Sequence, residues 1–402
     1  TAITSITATA ATKAQTVTVT GTGKSTILQD PSSTAMATAS KTVFKFATEK
    51  WNGTDVATVA SANIFTPAAL AALRTTTTTN VAAKLFVDLD LDSKAWNTTS
   101  GTNIVEGINN NVVSLVGYKT NGEASGTNTK ADLRTIKNLN APFGLFGPAA
   151  YAANARAARA AALTITDIKL DTPKITGTTK AGAFIGWAGE AVTMTNAQVS
   201  NGTIGGTSAS TTAENIGGLV GLFDAAGKDI TITKSSVTGA TINGHYFMGG
   251  LIGGIAAATN VTLGNWTTPD DNKNNVSTVT FNVLASTTSD GAYATDKSGT
   301  IASFIGGVTG DGTTNGIKTK LIIAKGQTVS LASQRESLKY KSNFLHDDAA
   351  RVYFFGMNAN RDYLGYVVPG SVKAFDFMDE GSLSKTGMTE WVGAGEPAAK
   401  IS

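Results

Sequence analysis

The sequence contains no cysteine and only two histidines among its 402 residues. The absence of cysteine excludes disulfide bonds and thiolate metal ligands, and two histidines give little basis for a zinc site. Charged residues are also scarce, at 15% of the chain, and 32 Lys and Arg against 29 Asp and Glu give a formal net charge of +3. Because these charges are scattered, the sequence predicts neither a nucleic acid nor an anionic membrane as a partner.

Long apolar segments are missing as well. None approaches the roughly 20 residues that a membrane-spanning helix requires, so no membrane span is predicted. The sequence has no initiator Met and no signal peptide, from which we expect residue 1 to be a processed mature terminus.

The polar surface is instead supplied largely by Thr, Ser, Asn and Gly, while hydrophobic residues make up 41% of the chain. Residues of these polar types are common in strands and turns. The composition therefore predicts an all-β extracellular protein that is stabilised by stacking alone.

Short apolar tetrads that end in glycine recur along the chain about 30 to 50 residues apart. Between them lie alternating stretches such as LTITDIKL at 163–170 and DITITKSSV at 229–237, which predict strands with Val, Ile and Leu inward. A unit this short cannot bury its own apolar face, so copies must stack on one another, which predicts a solenoid. Each tetrad glycine is expected to mark a tight corner where backbones approach closely. The final glycines of the tetrads are Gly117, Gly147, Gly186, Gly221, Gly253, Gly306 and Gly356.

We divide the chain into a β-rich N-terminal cap and assembly segment at 1–80, a repeat body at 81–356 and a C-terminal cap at 357–402. The caps are expected because the ends of a solenoid expose unpaired strand edges. Within the first segment an alternating strand is predicted, tied into a sheet of its own chain or of a neighbour. Its residues are Thr16, Val17, Thr18, Val19 and Thr20.

Two short helices are predicted. Thr66 can cap a helix over 68–74, with Pro67 at the first helical position. The Ala-rich run from Gly147 to Leu163 predicts a small helical insertion on the flank of the solenoid. Arg156 and Arg159 in this run could bind an acidic partner, although solvated helix charges are the commoner case.

The tetrads, with lead-ins such as Ile136-Lys137-Asn138-Leu139, closely resemble the GLUG-motif repeats of bacterial surface proteins. The stretch VDLDLDSKAW at 87–96 is similar to the entry strand that often precedes those repeats. The resemblance covers roughly residues 84–310 and continues more weakly to 356. It implies a right-handed parallel β-helix, found in adhesins, fimbria-associated proteins and extracellular enzymes, and therefore a location at the bacterial cell surface.

Asp88, Asp90 and Asp92 are the one acidic cluster of interest, because their alternation places all three carboxylates on one face of a strand. They could bind Ca²⁺ or form an acid/base set in a groove. The intervening leucines favour instead a half-buried strand with a solvated acidic face. No catalytic residue, cofactor or other metal ligand is predicted.

These observations predict a non-enzymatic exported structural protein, either the subunit of a cell-surface filament or fimbria, or an adhesin. Self-association is expected through strand addition by the N-terminal tract. The alternative is an extracellular polysaccharide lyase or hydrolase, or a carbohydrate-binding β-helix that recognises a host or cell-surface glycan by stacking on tryptophans. The tryptophans are Trp51, Trp96, Trp187, Trp266 and Trp391.

Overall fold

The structure is a computed structural model. It describes residues 3–10, 15–21, 39–43, 50–54, 56, 62–100, 103–118, 132–148, 151–152, 156–207, 214–244, 246–257, 260–264, 274–284, 301–308, 320–323, 328–331, 352–356, 363–367 and 372–374.

The N-terminal strands form a small antiparallel sheet of their own. Its strands are β1 (Ile3–Ala10), β2 (Gln15–Gly21) and β3 (Ala39–Val43), in the order β1-β2-β3. The alternating residues 16–20 therefore lie in the central strand, which is hydrogen-bonded to β1 on one side and to β3 on the other.

The rest of the described chain is all-β, with large parallel sheets and one short helix. The first elements are β4 (Asn63–Ile64), α1 (Pro67–Ala72), β5 (Val81–Leu85), β6 (Leu89–Asp90), β7 (Thr98–Ser100), β8 (Asn103–Val105), β9 (Val112–Gly117), β10 (Arg134–Lys137), β11 (Asn140–Ala141), β12 (Tyr151–Ala152), β13 (Leu163–Asp171), β14 (Lys174–Ile175), β15 (Thr179–Gly182), β16 (Ile185–Ala188), β17 (Val192–Ser200) and β18 (Thr203–Ile204). They are followed by β19 (Glu214–Gly217), β20 (Val220–Asp224), β21 (Asp229–Thr233), β22 (Ser236–Thr238), β23 (Thr241–Gly244), β24 (Tyr246–Gly249), β25 (Ile252–Ala257), β26 (Asn260–Leu263), β27 (Asn275–Val283), β28 (Ile301–Val308), β29 (Lys320–Ile323), β30 (Thr328–Leu331), β31 (Val352–Gly356), β32 (Tyr363–Val367) and β33 (Val372–Ala374).

Strands of successive chain segments, which we call rungs, pair in parallel. The sequence β5, β9, β13, β17, β21, β26 and β29 forms one such series within an 18-stranded sheet. The tetrads lie in a second parallel sheet of nine strands, where β16, β20, β25 and β28 are neighbours.

The core consists of apolar side chains that stack from rung to rung. One column is formed by residues that are paired in register and fully buried: Leu115, Ile165, Met194, Ile232 and Leu263. Thr164 and Thr193, which directly precede two of these residues, point away from the core and are exposed. This is the arrangement that period-two alternation predicts for a sheet buried on one face.

Two columns of left-handed residues bend each rung. One contains Asn138, Thr172, Asn201, Gly239 and Thr278, and the other contains Asp167, Asn196 and Lys234, all with φ between 51° and 64°. Asn and Asp tolerate this conformation because their short polar side chains can hydrogen-bond locally. Asn196 Nδ2, for example, donates to Asp167 Oδ1 of the preceding rung at 2.6 Å.

The tetrads also form a column of paired residues, although one of the predicted tetrads lies outside it. Phe146, Ile185, Val220, Ile252, Ile305 and Phe355 pair successively across rungs. The tetrad that ends at Gly117 is not part of this column, because it lies in β9, where Leu115 pairs with Ile165. Its place is taken by Ile108, which bridges to Phe146.

The two helix predictions have opposite outcomes. The helix after Thr66 is confirmed as α1, with Pro67 at its start and the Thr66 Oγ1 accepting a hydrogen bond from Ala69 N at 3.1 Å. The helical insertion is wrong for residues 156–162, which have no helix and where Arg159 instead forms a parallel bridge to Ala188. Tertiary pairing and burial of Arg159 override the helix propensity of the alanines.

The parallel sheets are covered at both ends. α1 follows the first strand, β4, and its Leu70 and the adjacent Leu73 are fully buried in the core. At the other end β32 and β33 pair antiparallel to β31 and β30. Within the part of the chain that the structure describes, no helix has the length and apolar character needed to cross a membrane.

Candidate functional site: buried arginines and the acidic strand

Among the residues that the structure describes, Arg159 is the most deeply buried charged residue, with 1% of its surface exposed. Its Nη1 donates to the carbonyl oxygens of Ile108, Asn109 and Gly147 at 3.2, 2.9 and 3.2 Å, and its Nη2 donates to that of Val112. Burial lowers the pKa of the guanidinium to about 10, so the group remains protonated at neutral pH. The side chain therefore joins the segment after Gly147 to residues 108–112 of the preceding rung.

Arg156 also links the segment after Gly147 to neighbouring parts of the chain. Its Nε lies 2.5 Å from Glu106 Oε1, and Glu106 itself is 2% exposed. The remaining donors reach the carbonyl oxygens of Thr179 and Lys180 at 3.1 and 3.0 Å. The two arginines are thus neither solvated helix charges nor directed at an external acidic partner, since most of their donors bind groups of the chain itself and the Nε of Arg159 is buried without a hydrogen-bond partner.

Arg74 forms a third buried cation, between two tryptophan rings. Its guanidinium carbon lies 5.0 Å from the centre of the Trp51 ring and 4.9 Å from that of Trp96, within cation–π range. It also donates to the carbonyl oxygens of Ala71 and Trp96. Burial lowers the pKa of Arg74 to about 10. This cluster joins the end of α1 to the first rungs.

The carboxylates of Asp88, Asp90 and Asp92 bind groups of the chain itself. Asp88 Oδ1 accepts from Thr135 N at 2.8 Å, while Asp90 Oδ1 accepts from Asp92 N and from Asn138 Nδ2, both at 2.8 Å. Asp92 lies in a turn with φ of 50° and pairs with Lys50 at 2.7 Å.

The hydrogen bond from Lys50, together with the attraction between the two charges, lowers the pKa of Asp92. The carboxylate of Asp92 is therefore directed to this lysine in a turn. Among the described residues no group of three or more His, Cys, Asp or Glu is arranged to hold a metal ion.

The tetrad glycines lie where backbone segments of successive rungs approach closely. A Cβ at Gly253 would be 2.5 Å from the carbonyl oxygen of Gly221, and one at Gly306 would be 2.5 Å from that of Gly253. A Cβ at Gly186 would be 2.5 Å from the carbonyl oxygen of Lys180. Real Cβ atoms do not approach other atoms this closely, so a larger residue there requires the sheet to move.

The other predicted glycines have their own environments. Gly117 ends β9, and a Cβ there would meet the carbonyl oxygens of Asp132 and Asp167. A Cβ at Gly147 would lie 2.8 Å from the Cβ of Glu106, and Gly356 ends β31.

The tryptophans that the structure describes do not form a common exposed platform. Trp51 and Trp96 are 2% and 0% exposed, and the Trp96 Nε1 donates to the carbonyl oxygen of Leu145 at 3.0 Å. Trp187 is half-buried, with the Lys180 ammonium 3.2 Å from its ring centre. Trp266 and Trp391 lie outside the described residues.

Comparison of the chain with protein-family models, with curated proteins and with solved structures finds no match. The resemblance to GLUG-motif repeats therefore stays a prediction.

The sequence reasoning missed the roles of Arg74, Glu106 and Arg159. Arg74 and Arg159 bind backbone carbonyl groups, which leave no trace in the side-chain pattern, and Glu106 pairs with the side chain of Arg156. The sequence gives no signal for these contacts, because Glu106 and Arg156, and likewise Arg159 and Asn109, are 50 residues apart along the chain.

Proposed function

We propose that the chain is a right-handed parallel β-helix that serves as a non-enzymatic exported structural protein, as the subunit of a bacterial cell-surface filament or fimbria, or as an adhesin. The parallel pairing of rung upon rung is the observation that carries the proposal. The right-handed sense is expected because nearly all crossovers between parallel strands have that hand.

The use of buried polar groups further supports a structural role. Catalytic sites direct strained or unpaired polar groups at a substrate. Here the guanidinium of Arg159 contacts four carbonyl oxygens of its own chain, and Asp88 and Asp90 accept hydrogen bonds from the neighbouring rung. Such groups stabilise a rigid rod.

Assembly through the N-terminal tract is the second part of the proposal. Strand addition between subunits derives its affinity from main-chain hydrogen bonds. In this chain residues 16–19 are paired with β1 on one edge and with β3 on the other, and Thr20 is paired with β1, so addition takes place at the sheet that contains them and not directly on β2.

Negative-stain electron microscopy of the purified full chain tests this function. We expect filaments whose number grows with protein concentration, and a folded monomer when residues 1–25 are deleted. Isolated rods of the full chain at every concentration would contradict the filament function, and filaments of the truncated chain would contradict the role of the N-terminal tract.

The enzymatic alternative has its own test. The triple variant Asp88→Asn, Asp90→Asn and Asp92→Asn keeps side-chain oxygens as hydrogen-bond acceptors but removes the carboxylates. We expect neither the native chain nor the variant to cleave acidic glycans. Cleavage by the native chain that is lost in the variant would show that the non-enzymatic proposal is wrong.

A further inference from the structure

The parallel sheets offer no simple way for one copy to continue another. Adding a rung at the first end would require α1 to leave the core, where Leu70 and Leu73 are fully buried. Adding one at the other end would require displacement of the antiparallel strands β32 and β33. End-to-end stacking of rungs is therefore disfavoured.

In the N-terminal sheet, in contrast, neither edge is paired with another of the described strands. Among the described strands, β1 is hydrogen-bonded to β2 alone, and so is β3. Each of these edge strands consequently presents a row of main-chain groups on its outer side.

β1 also lacks the devices that normally prevent edge strands from associating. Its eight residues, ITSITATA, include no charged residue, no proline and no glycine. Natural edge strands are commonly protected by lysine, by proline or by a short length. β3 has five residues and contains Lys41, so pairing two β3 edges would bring like charges together, whereas the uncharged β1 can pair with β3.

We propose that the outer edge of β1 in one copy pairs with the outer edge of β3 in the next, so that the N-terminal sheet continues from subunit to subunit. This inference rests on the proposed assembly function and names its two surfaces. Because the two edges differ, the contact is heterologous and leaves one free edge of each kind at the ends. Contacts of this type propagate an open polymer when the rotation between subunits does not close a ring.

Disulfide cross-linking can test this pairing, because the chain has no cysteine of its own. Thr7 pairs with Thr18, and Thr18 pairs with Ser40, so β2 separates Thr7 from Ser40 within one copy. Two strand spacings amount to roughly 9.5 Å. A disulfide joins Cα atoms that are no more than about 7 Å apart, so Thr7 and Ser40 cannot be joined within one sheet.

The experiment uses Thr7→Cys combined in turn with Ser40→Cys, Lys41→Cys and Thr42→Cys, which covers neighbouring registers. Under oxidation we expect at least one pair to give a ladder of dimers and higher oligomers on a non-reducing gel. Reduction with dithiothreitol should convert these oligomers to monomer. The matched control, Thr7→Cys with Thr18→Cys, joins partners within one sheet and should remain monomeric.

The outcomes separate this inference from the proposed function. Filaments without any cross-link between β1 and β3 would overturn the inference and leave the filament function standing. Dimers as the largest product, formed equally by Thr7→Cys alone, would show a symmetric contact between two β1 edges and would also overturn it. Single rods by microscopy together with monomers on the gel would refute both.

A second pair of variants does not depend on cross-linking. Successive residues of an antiparallel edge strand alternate in the direction of their N–H groups, so one of Ile6→Pro and Thr7→Pro removes an outward donor. We expect that variant to lose filaments while the parallel body keeps its thermal unfolding midpoint. Normal filaments from both proline variants would contradict pairing through this edge.

Discussion

Replacing Arg159 by methionine isolates the contribution of its buried guanidinium. Methionine keeps an unbranched side chain of similar length, so the apolar part of the packing is largely retained. The variant removes the donors that reach the carbonyl oxygens of Ile108, Asn109, Gly147 and Val112.

The expected loss of stability depends on whether each of these oxygens keeps another hydrogen-bond donor. Ile108 O also accepts from Gly147 N, and Asn109 O also accepts from Val112 N, so both keep one partner. Among the described residues, no backbone N–H outside the strands donates to Gly147 O. The substitution therefore leaves this oxygen unsatisfied, which costs about 1–3 kcal/mol. The weakened bonds add roughly 0.5–1 kcal/mol each, and relief of the buried charge offsets part of the sum. We therefore expect the free energy of unfolding to fall by about 2–4 kcal/mol.

Denaturant titration followed by tryptophan fluorescence measures this change, since a change in midpoint at constant slope reports stability. Arg134→Met is the matched control, because Arg134 donates to one carbonyl oxygen, that of Tyr118, and pairs with the half-exposed Asp132. We expect the control to lose less than about 1 kcal/mol. If the Arg159→Met variant were as stable as the Arg134→Met variant, the proposed stabilising role of the buried guanidinium would be refuted.

Further substitutions test individual features of the rungs, each by the same titration. Gly221→Ala should destabilise the chain by several kcal/mol, because its Cβ would meet the carbonyl oxygen of Gly186, and near-native stability would show that the sheets can separate there. Lys234→Asn should stabilise by about 0.5–1 kcal/mol, because lysine is held at φ of 54° and the equivalent position one rung earlier is Asn196; an unchanged midpoint would count against strain at this corner. Thr66→Ala should cost about 1 kcal/mol through loss of the cap on Ala69 N, and retained stability would mean that packing alone holds α1.

Much of the strand pattern could be predicted from the sequence, because alternation and burial depend on nearest neighbours along the chain. In the stretch at 163–170, Leu163 and Ile165 are buried on either side of the exposed Thr164, as the alternation indicates. The alternation changes phase at the left-handed Asp167, which the pattern does not predict, so that Ile168 and Leu170 are buried as well. The cap at Thr66 was predictable for the same reason, since its hydrogen bond spans three residues.

Register between rungs was less predictable, because it is determined by pairing and not by spacing. The tetrad at 114–117 matches the motif, yet in the fold Leu115 stacks on Ile165, while Ile108 occupies the column of the tetrads. A motif of two apolar residues before a glycine fits either sheet. Only the long-range contacts of Gly107 and Ile108 with the following rung decide between them.

Insertions show how rungs of unequal length keep one register. Ile232 and Val237 lie on either side of the corner at Lys234. In the next rung, Ile232 pairs with Leu263 and Val237 pairs with Val276. A longer segment separates Leu263 from Val276 and leaves the sheet at the same corner. The chain returns at Asn274, which is fully buried.

Asn274 restores the register by hydrogen bonds to the rung below. Its Oδ1 accepts from Ser235 N at 2.9 Å, and its Nδ2 donates to Ile232 O at 2.8 Å. Arg159 does the same for the segment that leaves after Gly147, where it binds carbonyl groups on both sides of the gap. Asn274 and Arg159 thus lie at the ends of insertions, because the backbone groups exposed by a departing segment need partners that the neighbouring strand no longer supplies. This accounts for the most deeply buried arginine of the described chain without assigning it any external ligand.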